Sequence, residues 1–596
     1  MKYILGAYSQ LPFGYPDEEY ELLLTRQLKP FLTMLFSQPA LKAVLRIGNS
    51  EIEWFEAVHP EINMLIGDLC KKGQLELLTS CCYDTALSML PPHERTKHIE
   101  KTTAFLRKKF GKKPRGLWCV YQDFSSSVIQ QMEISTLDYV VISPYLQIGN
   151  CSFAAKPFVM SEFGKKTVIF PIDDRFSREV ADFSRNKEDK DEFFSSIEKI
   201  AKSTSNAIST VMINMDQLSF CSDSDKVFKV ICDTLGSNCV LPSEYLNDNR
   251  TIKNGYMPSG IYGRDYSFGK AASLRQIVID SPMLLKNNSS FNVLMEFTKD
   301  LKKKSDERKI IENLFMKASS SSMYIPDFTG FPAVRRFSHS GICEIEKILT
   351  SETSFQLPLC ADVDGDGHEE YIVPSKNSVC FLSPRGASVT RFNITGSLQD
   401  IAFHNGEGIF SDSFVKMSEH KPVTLSSKYF EISCLDKKRH DFFAKSPQFE
   451  LNRIPVILLK HFKFRTNTVI CEIEIENIGH VEIKDYTYES RLNFAFPKDM
   501  KFICSETERT VNDEFTSDCQ TVQTVSQNTG LSLGIILNEI MNMSVKPVIH
   551  SVKGLESFYD IYQYSQMKIQ KQLTIKPGES VHIAIGLRID KRKETK

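Results

Sequence analysis

The chain has no run of the roughly 18 to 20 apolar residues that a membrane-spanning helix needs, so none is expected anywhere in its 596 residues. It lacks a paired Cys-x-x-Cys framework as well. Its 15 cysteines are scattered, with Cys81 and Cys82 adjacent in a run that reads as a buried strand. That usage suits free thiols in a reducing compartment rather than a disulfide scaffold. Residues 1–14 hold one lysine and no small-residue cleavage site. The cytoplasm is the simplest expected location. Charge of one sign is missing too: a formal net charge of -1 gives no electrostatic case for nucleic acid or an anionic membrane. Lysine clusters at 108–109, 112–113 and 302–304 read as solvated faces. Tryptophan occurs only twice, as Trp54 and Trp118. No internal repeat is present, and the serine run 319–322 is the one biased segment.

Against these absences stands an ordinary globular composition, 41% hydrophobic and 25% charged. The length exceeds one ordinary core and predicts two to four domains. Up to about residue 240, strand-like and helix-like segments alternate. Strands are expected at 3–8, 43–47, 75–82, 139–142 and 167–170, and helices at 18–36, 59–72 and 92–110. Gly73 and Gly111 follow two of these helices, where a left-handed cap favours glycine. Short continuous apolar runs suit parallel strands covered on both sides, hence an α/β barrel or an open doubly wound sheet. Residues 292–349 turn helical. After Asp362, alternating segments such as 469–475 and 581–585, with Pro577-Gly578 as a turn, predict an antiparallel β domain.

Several segments resemble family-57 glycoside hydrolases of the 4-α-glucanotransferase and α-amylase type. These are Ile52-Glu53-Trp54, Lys72 to Glu76, Arg115 to Trp118, Phe170 to Asp173, Ser243 to Leu246, Pro332 with Arg335-Arg336, and Asp362-Val363-Asp364. The resemblance implies an incomplete (β/α)7 barrel over 1–285, a helical bundle segment over 286–355 and a C-terminal antiparallel β-sandwich over 356–596. It also locates five signatures, most of them altered here. The first is Tyr8-Ser9-Gln10-Leu11-Pro12, of which only the proline matches. The second surrounds Gly48-Asn49-Ser50, and Asp84 keeps an acidic residue that follows a strand. In the third, Tyr121 stands where the family has its catalytic glutamate. In the fourth, Ile213 to Gln217, Met215 takes the place of the acid/base aspartate, with Asp216 beside it. The fifth falls on Ala318 to Met323 and keeps none of the family's polar and aromatic residues.

Retaining hydrolysis of a glycosidic bond needs two carboxyl groups about 5 to 5.5 Å apart. Met215 cannot carry a proton, and a tyrosine nucleophile needs an adjacent base. Losing a nucleophile costs roughly 10⁴ to 10⁶ in rate in a well-studied hydrolase. Asp123 could face the same side as Tyr121 in an extended strand, and Asp216 could turn inward; together with Tyr121 they are the candidate catalytic residues. Both aspartates also read as solvated loop carboxylates. The candidate carbohydrate contacts are Asp84, Trp118, Tyr8 and Gln10. Trp118 is either a sugar platform or a barrel core residue, and its place inside the apolar strand favours the core. Trp54, at helical spacing with Ile52 and Phe55, also reads as core.

One intact motif remains: Asp362-Val363-Asp364-Gly365-Asp366-Gly367-His368-Glu369-Glu370. Its spacing suits a structural Ca²⁺, which takes six to eight hard oxygens, or an acidic turn closed on its own backbone. The ligand set would be Asp362, Asp364, Asp366, His368 through its carbonyl, and Glu370. No organic cofactor is expected. Three functions follow: a non-catalytic binder of an α-glucan or maltooligosaccharide, a diverged active enzyme using Asp123 and Asp216, or a structural partner of an active paralogue, with homo-oligomers a further possibility.

Overall fold

The structure, a computed structural model, describes residues 2–143, 156–176, 179, 190–203, 208–218, 224–249, 251–261, 273–299, 305–320, 324, 330–351, 355, 357–403, 407–416, 422–504, 507–555 and 557–590. Two compact units divide the chain. The first holds Met1–Ile277, Ser319–Ser338 and Val552–Tyr559; the second holds Val278–Ala318, His339–Ser551 and Asp560–Lys596.

The first unit is α/β. Its strands are β1 (Lys2–Tyr8), β2 (Ala43–Arg46), β3 (Leu75–Thr79), β4 (Gly116–Trp118), β5 (Asp123–Phe124), β6 (Tyr139–Ile142), β7 (Phe158–Glu162), β8 (Lys165–Pro171), β9 (Ile208–Asn214) and β10 (Gly260–Ile261). Eight of them form one sheet in the order β7-β8-β6-β4-β3-β2-β1-β9. Only the β7 edge is antiparallel. Every residue of β2, β6 and β9 is buried, as strands covered on both faces require. A lone parallel bridge joins Ile172, just past β8, to Thr210 in β9, and Asp173 N donates to Thr210 O at 2.7 Å. The two ends of the parallel series therefore touch.

Helices α1 (Asp17–Leu23), α2 (Lys29–Ser37), α3 (Asn49–Val58), α4 (Pro60–Lys72), α5 (Pro92–Phe110) and α6 (Val128–Ile134) connect these strands. Gly73 ends α4 with φ 74° and Gly111 ends α5 with φ 80°, the left-handed caps expected of them. Three expectations need correction. The helix expected over 18–36 is interrupted by a π turn at Leu24–Leu28, beside Pro30, which has no N–H to donate. The strand expected over 75–82 stops at Thr79, and Cys82–Asp84 form a tight turn in which Tyr83 and Asp84 take positive φ, 51° and 52°. Trp54 is half-buried rather than core: it stacks on Tyr20 at 5.4 Å and its indole N–H reaches Asp17 at 3.1 Å.

The second unit begins with helices Pro282–Lys299 and Ser305–Ala318 and continues as antiparallel sheet. Strands β11 (Leu359–Ala361), β12 (Glu370–Pro374), β13 (Ser378–Ser383), β14 (Ser388–Ile394) and β15 (Gln399–Asp400) form one sheet; the remainder form a 14-stranded sheet. Thr468–Asn477 alternates strictly between buried and half-buried residues, as its sequence period of two dictates. Residues of both sheets, including Leu382, Phe392, Phe462, Ile473 and Ile585, share one apolar core. Gly578, at φ 75°, turns the chain into the last strand.

Candidate functional site

Register fixes where the candidate residues meet. Tyr8 lies level with Arg46 on β2 and with Asn214 on β9, so residues 9–10, 47–51 and 215–216 all leave the sheet at one edge. Asp84 and Tyr121 follow the same ends of β3 and β4. Ligands of parallel α/β sheets bind beyond the carboxyl ends of the strands, which is where these residues gather.

A buried polar cluster occupies this edge. Arg46 is fully buried; its guanidinium donates to the backbone carbonyl of Ser9 and to Asp84 Oδ1. Glu51, in the first turn of α3, accepts from the backbone N–H groups of Gly48 and Leu11. Ser9 Oγ lies between two acids, within hydrogen-bond reach of Glu51 Oε1 and 2.6 Å from Asp216 Oδ1. A hydroxyl has one proton to donate, so the second contact calls for a carboxyl that keeps its own proton. Burial raises the carboxyl of Glu51, against the lowering effects of Arg46, Ser9 and Leu11 N. Burial raises Asp84 likewise, with Arg46 opposing. A Cβ on Gly48 would lie 2.6 Å from Glu51 Oε2 and 2.8 Å from Asp84 Oδ2, so a larger residue there would displace both carboxyls.

Strain marks two of the strand ends. Tyr83 and Asp84 after β3, and Tyr121 and Gln122 after β4, are consecutive non-glycine pairs with φ between 51° and 56°. Left-handed backbone at such residues costs free energy and clusters at functional sites. Tyr121 is 1% exposed, and its N–H donates to Gln10 Oε1 at 3.4 Å. The extended geometry that would aim Asp123 with Tyr121 is absent, because the positive φ of Tyr121 and Gln122 breaks the strand. Asp123 instead pairs through β5 with Ile261 on β10, and its carboxyl lies near Ser88, Arg95 and Arg275. Burial pushes it up to about 6. Neither aspartate is the solvated loop acid that was the alternative: Asp123 is buried, and half-buried Asp216 accepts from Ser9 Oγ and from Gln10 N at 3.3 Å.

Of the four candidate sugar contacts, Asp84 and Gln10 belong to this layer, and Tyr8 and Trp118 pack in an apolar cluster. Trp118 is 1% exposed and packs with Tyr8, ring centroids 4.4 Å apart, in an apolar cluster with Ile4, Val44, Tyr139 and Phe170. Gln10 and Asp84 are buried as well. Met215 is 1% exposed. Of the serine run, Ser319 reaches Thr85 at 3.2 Å and Ser320 donates to the Tyr83 carbonyl at 3.1 Å; Ser321, Ser322 and Met323 lie outside the described residues. Sequence reasoning missed Ser9, Arg46 and Glu51. It also missed three half-buried aromatics, Phe13, Tyr83 and Phe337, whose centroids are 4.6 to 5.6 Å apart. The positive φ of Tyr83 is not visible in sequence, and Phe337 is remote in the chain.

In the second unit, oxygens of Asp362, Asp364 and Glu370 lie within 4.8 Å of one another. The Asp366 carboxyl is outside this group. Asp366 accepts from Tyr429 OH at 2.9 Å, and the His368 ring stacks on Tyr429 with centroids 3.8 Å apart. Glu370 is 2% exposed, and burial with three acidic neighbours pushes it up to about 8.

Comparison with known proteins agrees with this architecture. The family model described as Glycosyl hydrolase family 57 matches residues 7–255, the α/β region. The chain is 26% identical over 179 residues to an alpha-amylase of Pyrococcus horikoshii, covering 29% of this chain and 28% of that one. It is 22% identical over 438 residues to a 4-alpha-glucanotransferase of Thermococcus litoralis, covering 65% and 63%. To alpha-amylase 1 of Dictyoglomus thermophilum it is 21% identical, covering 83% and 85%. The crystal structure of the Thermococcus litoralis 4-alpha-glucanotransferase superimposes with a TM-score of 0.80 at 15% identity, covering 99% of this chain and 100% of that one, which establishes the fold.

Proposed function

We propose that this chain is a non-catalytic relative of the α-glucan enzymes, whose seven parallel strands close as a barrel and whose mouth binds an α-glucan. The carrying observation is the pair Tyr121 and Met215, each 1% exposed, at the strand ends where the resemblance puts the catalytic carboxyl groups. Neither side chain offers the paired carboxyls that glycoside hydrolysis uses. Support for binding comes from the aromatic trio Phe13, Tyr83 and Phe337, half-buried beside the acidic cluster, since ligand pockets combine aromatic faces with a few fixed polar groups. The test is calorimetric titration with maltoheptaose alongside chromatography of the incubated sugar. Binding that weakens in Tyr83→Ala and Phe337→Ala, without new products, is expected.

The active-enzyme reading has one observation in its favour: Asp123, held near 6, lies in the range of a general acid. New oligosaccharides that vanish in Asp123→Asn would select it. Cysteines that are free thiols among the described residues support a reducing, cytoplasmic setting, and no described helix is long and apolar enough to cross a membrane.

A structural Ca²⁺ is part of the proposal for the second unit. The donors are all hard oxygens, and buried Glu370 has three acidic neighbours that a divalent cation would neutralise. Asp362, Asp364 and Glu370 would hold the ion, which would fix the turn entering β12.

A further inference from the structure

At one end of the second unit, four turns and a helix end surround a cavity of about 1120 Å³. Lys347 comes from the last turn of helix Pro332–Leu349, and Lys376 from the turn between β12 and β13. Lys438, Arg439 and His440 form the turn between strands Glu431–Asp436 and Asp441–Lys445. Arg465 follows strand Ile454–Phe464. Thr395 and Gly396, after β14, close the ring. No carboxylate is among the described residues that line the space.

Asp441 holds Arg465 at 2.7 Å, and Asp436 accepts the backbone N–H groups of Lys438 and Arg439 at 2.8 and 3.0 Å. No ion pair joins Lys347, Lys376 or Lys438 to a described residue. Residues 437–439 alone would read as a solvated basic turn. The difference is convergence: cations from four separate segments face one concavity, where field lines concentrate and mobile anions accumulate. Lysine and arginine converging on one space suit phosphoryl oxygens, which accept several charge-assisted hydrogen bonds at once. The volume exceeds one inorganic phosphate and suits a drug-sized metabolite. Ser351, Asn377 and Thr395 add neutral partners for hydroxyl groups.

We propose that this cavity binds a phosphoryl-bearing small molecule. The proposal is independent of the reading of the first unit. A sugar phosphate and a nucleotide share the recognised group, and separate arms distinguish them. Calorimetry on the full chain uses pyrophosphate, glucose 1-phosphate, ADP and uncharged maltose. At least one phosphoryl compound is expected to bind, more weakly as salt rises. Its affinity should fall about tenfold or more in Lys376→Ala/Lys438→Ala, with an unchanged melting temperature. Lys576→Ala, which removes an exposed lysine from a turn outside the cavity lining, should match wild type. Glucose 1-phosphate outbinding ADP assigns a sugar phosphate, and the reverse a nucleotide. No binding of any phosphoryl compound, an unaffected double variant, or equal loss in Lys576→Ala would overturn the site.

Discussion

Glu51 and Asp216 reach the same hydroxyl: Ser9 Oγ contacts Glu51 Oε1 and lies 2.6 Å from Asp216 Oδ1. Two acids from distant parts of the chain are thus joined across the ends of β1, β2 and β9 by one proton-limited group. Ser9→Ala leaves a buried carboxyl short of a partner and should cost about 1–3 kcal/mol in urea unfolding. Glu51→Gln turns one of two accepting oxygens into an NH₂ group facing a backbone donor, Leu11 N or Gly48 N, and should cost at least as much. A clearly smaller loss in Glu51→Gln than in Ser9→Ala would contradict this accounting.

Arg46 and Asp84 form an ion pair with side-chain exposures of 0% and 3%. Arg46→Met removes the cation and leaves the acid buried, for which about 3–5 kcal/mol is the expected penalty. Arg46→Met/Asp84→Leu should recover much of it. Urea titrations of the two variants check the difference.

Asp123 sets a pH dependence whose sign is fixed. Burial holds it at about 6, above its ordinary 3.8. Between those values the folded chain keeps a proton that the unfolded chain releases, so stability falls as pH rises through the window and levels off above it. Asp123→Asn is neutral throughout. It should be nearest to wild type at low pH and gain on it by on the order of 1–3 kcal/mol at pH 7, since each tenfold change in proton affinity is worth about 1.4 kcal/mol. Thermal melts across that range provide the measurement.

Calcium should raise the melting temperature of the full chain, because a ligand bound only by the folded state stabilises it. Chelation should reverse the rise. Asp364→Asn should remove the response, whereas Asp366→Asn, whose carboxyl faces Tyr429, should largely keep it.

The strand and helix order was legible because buried parallel strands read as unbroken apolar runs, and Gly73 and Gly111 punctuate the helices. Backbone excursions were not. The left-handed pairs at Tyr83-Asp84 and Tyr121-Gln122 leave no composition signal, yet the second breaks the extended run that would have aligned Asp123 with Tyr121. Trp54 failed for a related reason: helical spacing gives its face of α3, but not how much of that face Tyr20 covers. Tyr121 and Met215 could be located from the resemblance. Arg46, Glu51 and Ser9 could not, because their importance lies in contacts between distant segments.

The most direct test is prolonged incubation of the purified full chain with maltoheptaose, followed by chromatography of all oligosaccharides. The expected result is unchanged maltoheptaose, with binding still detected calorimetrically. Shorter and longer glucans that disappear in Asp216→Asn or Asp123→Asn would contradict the loss of catalysis.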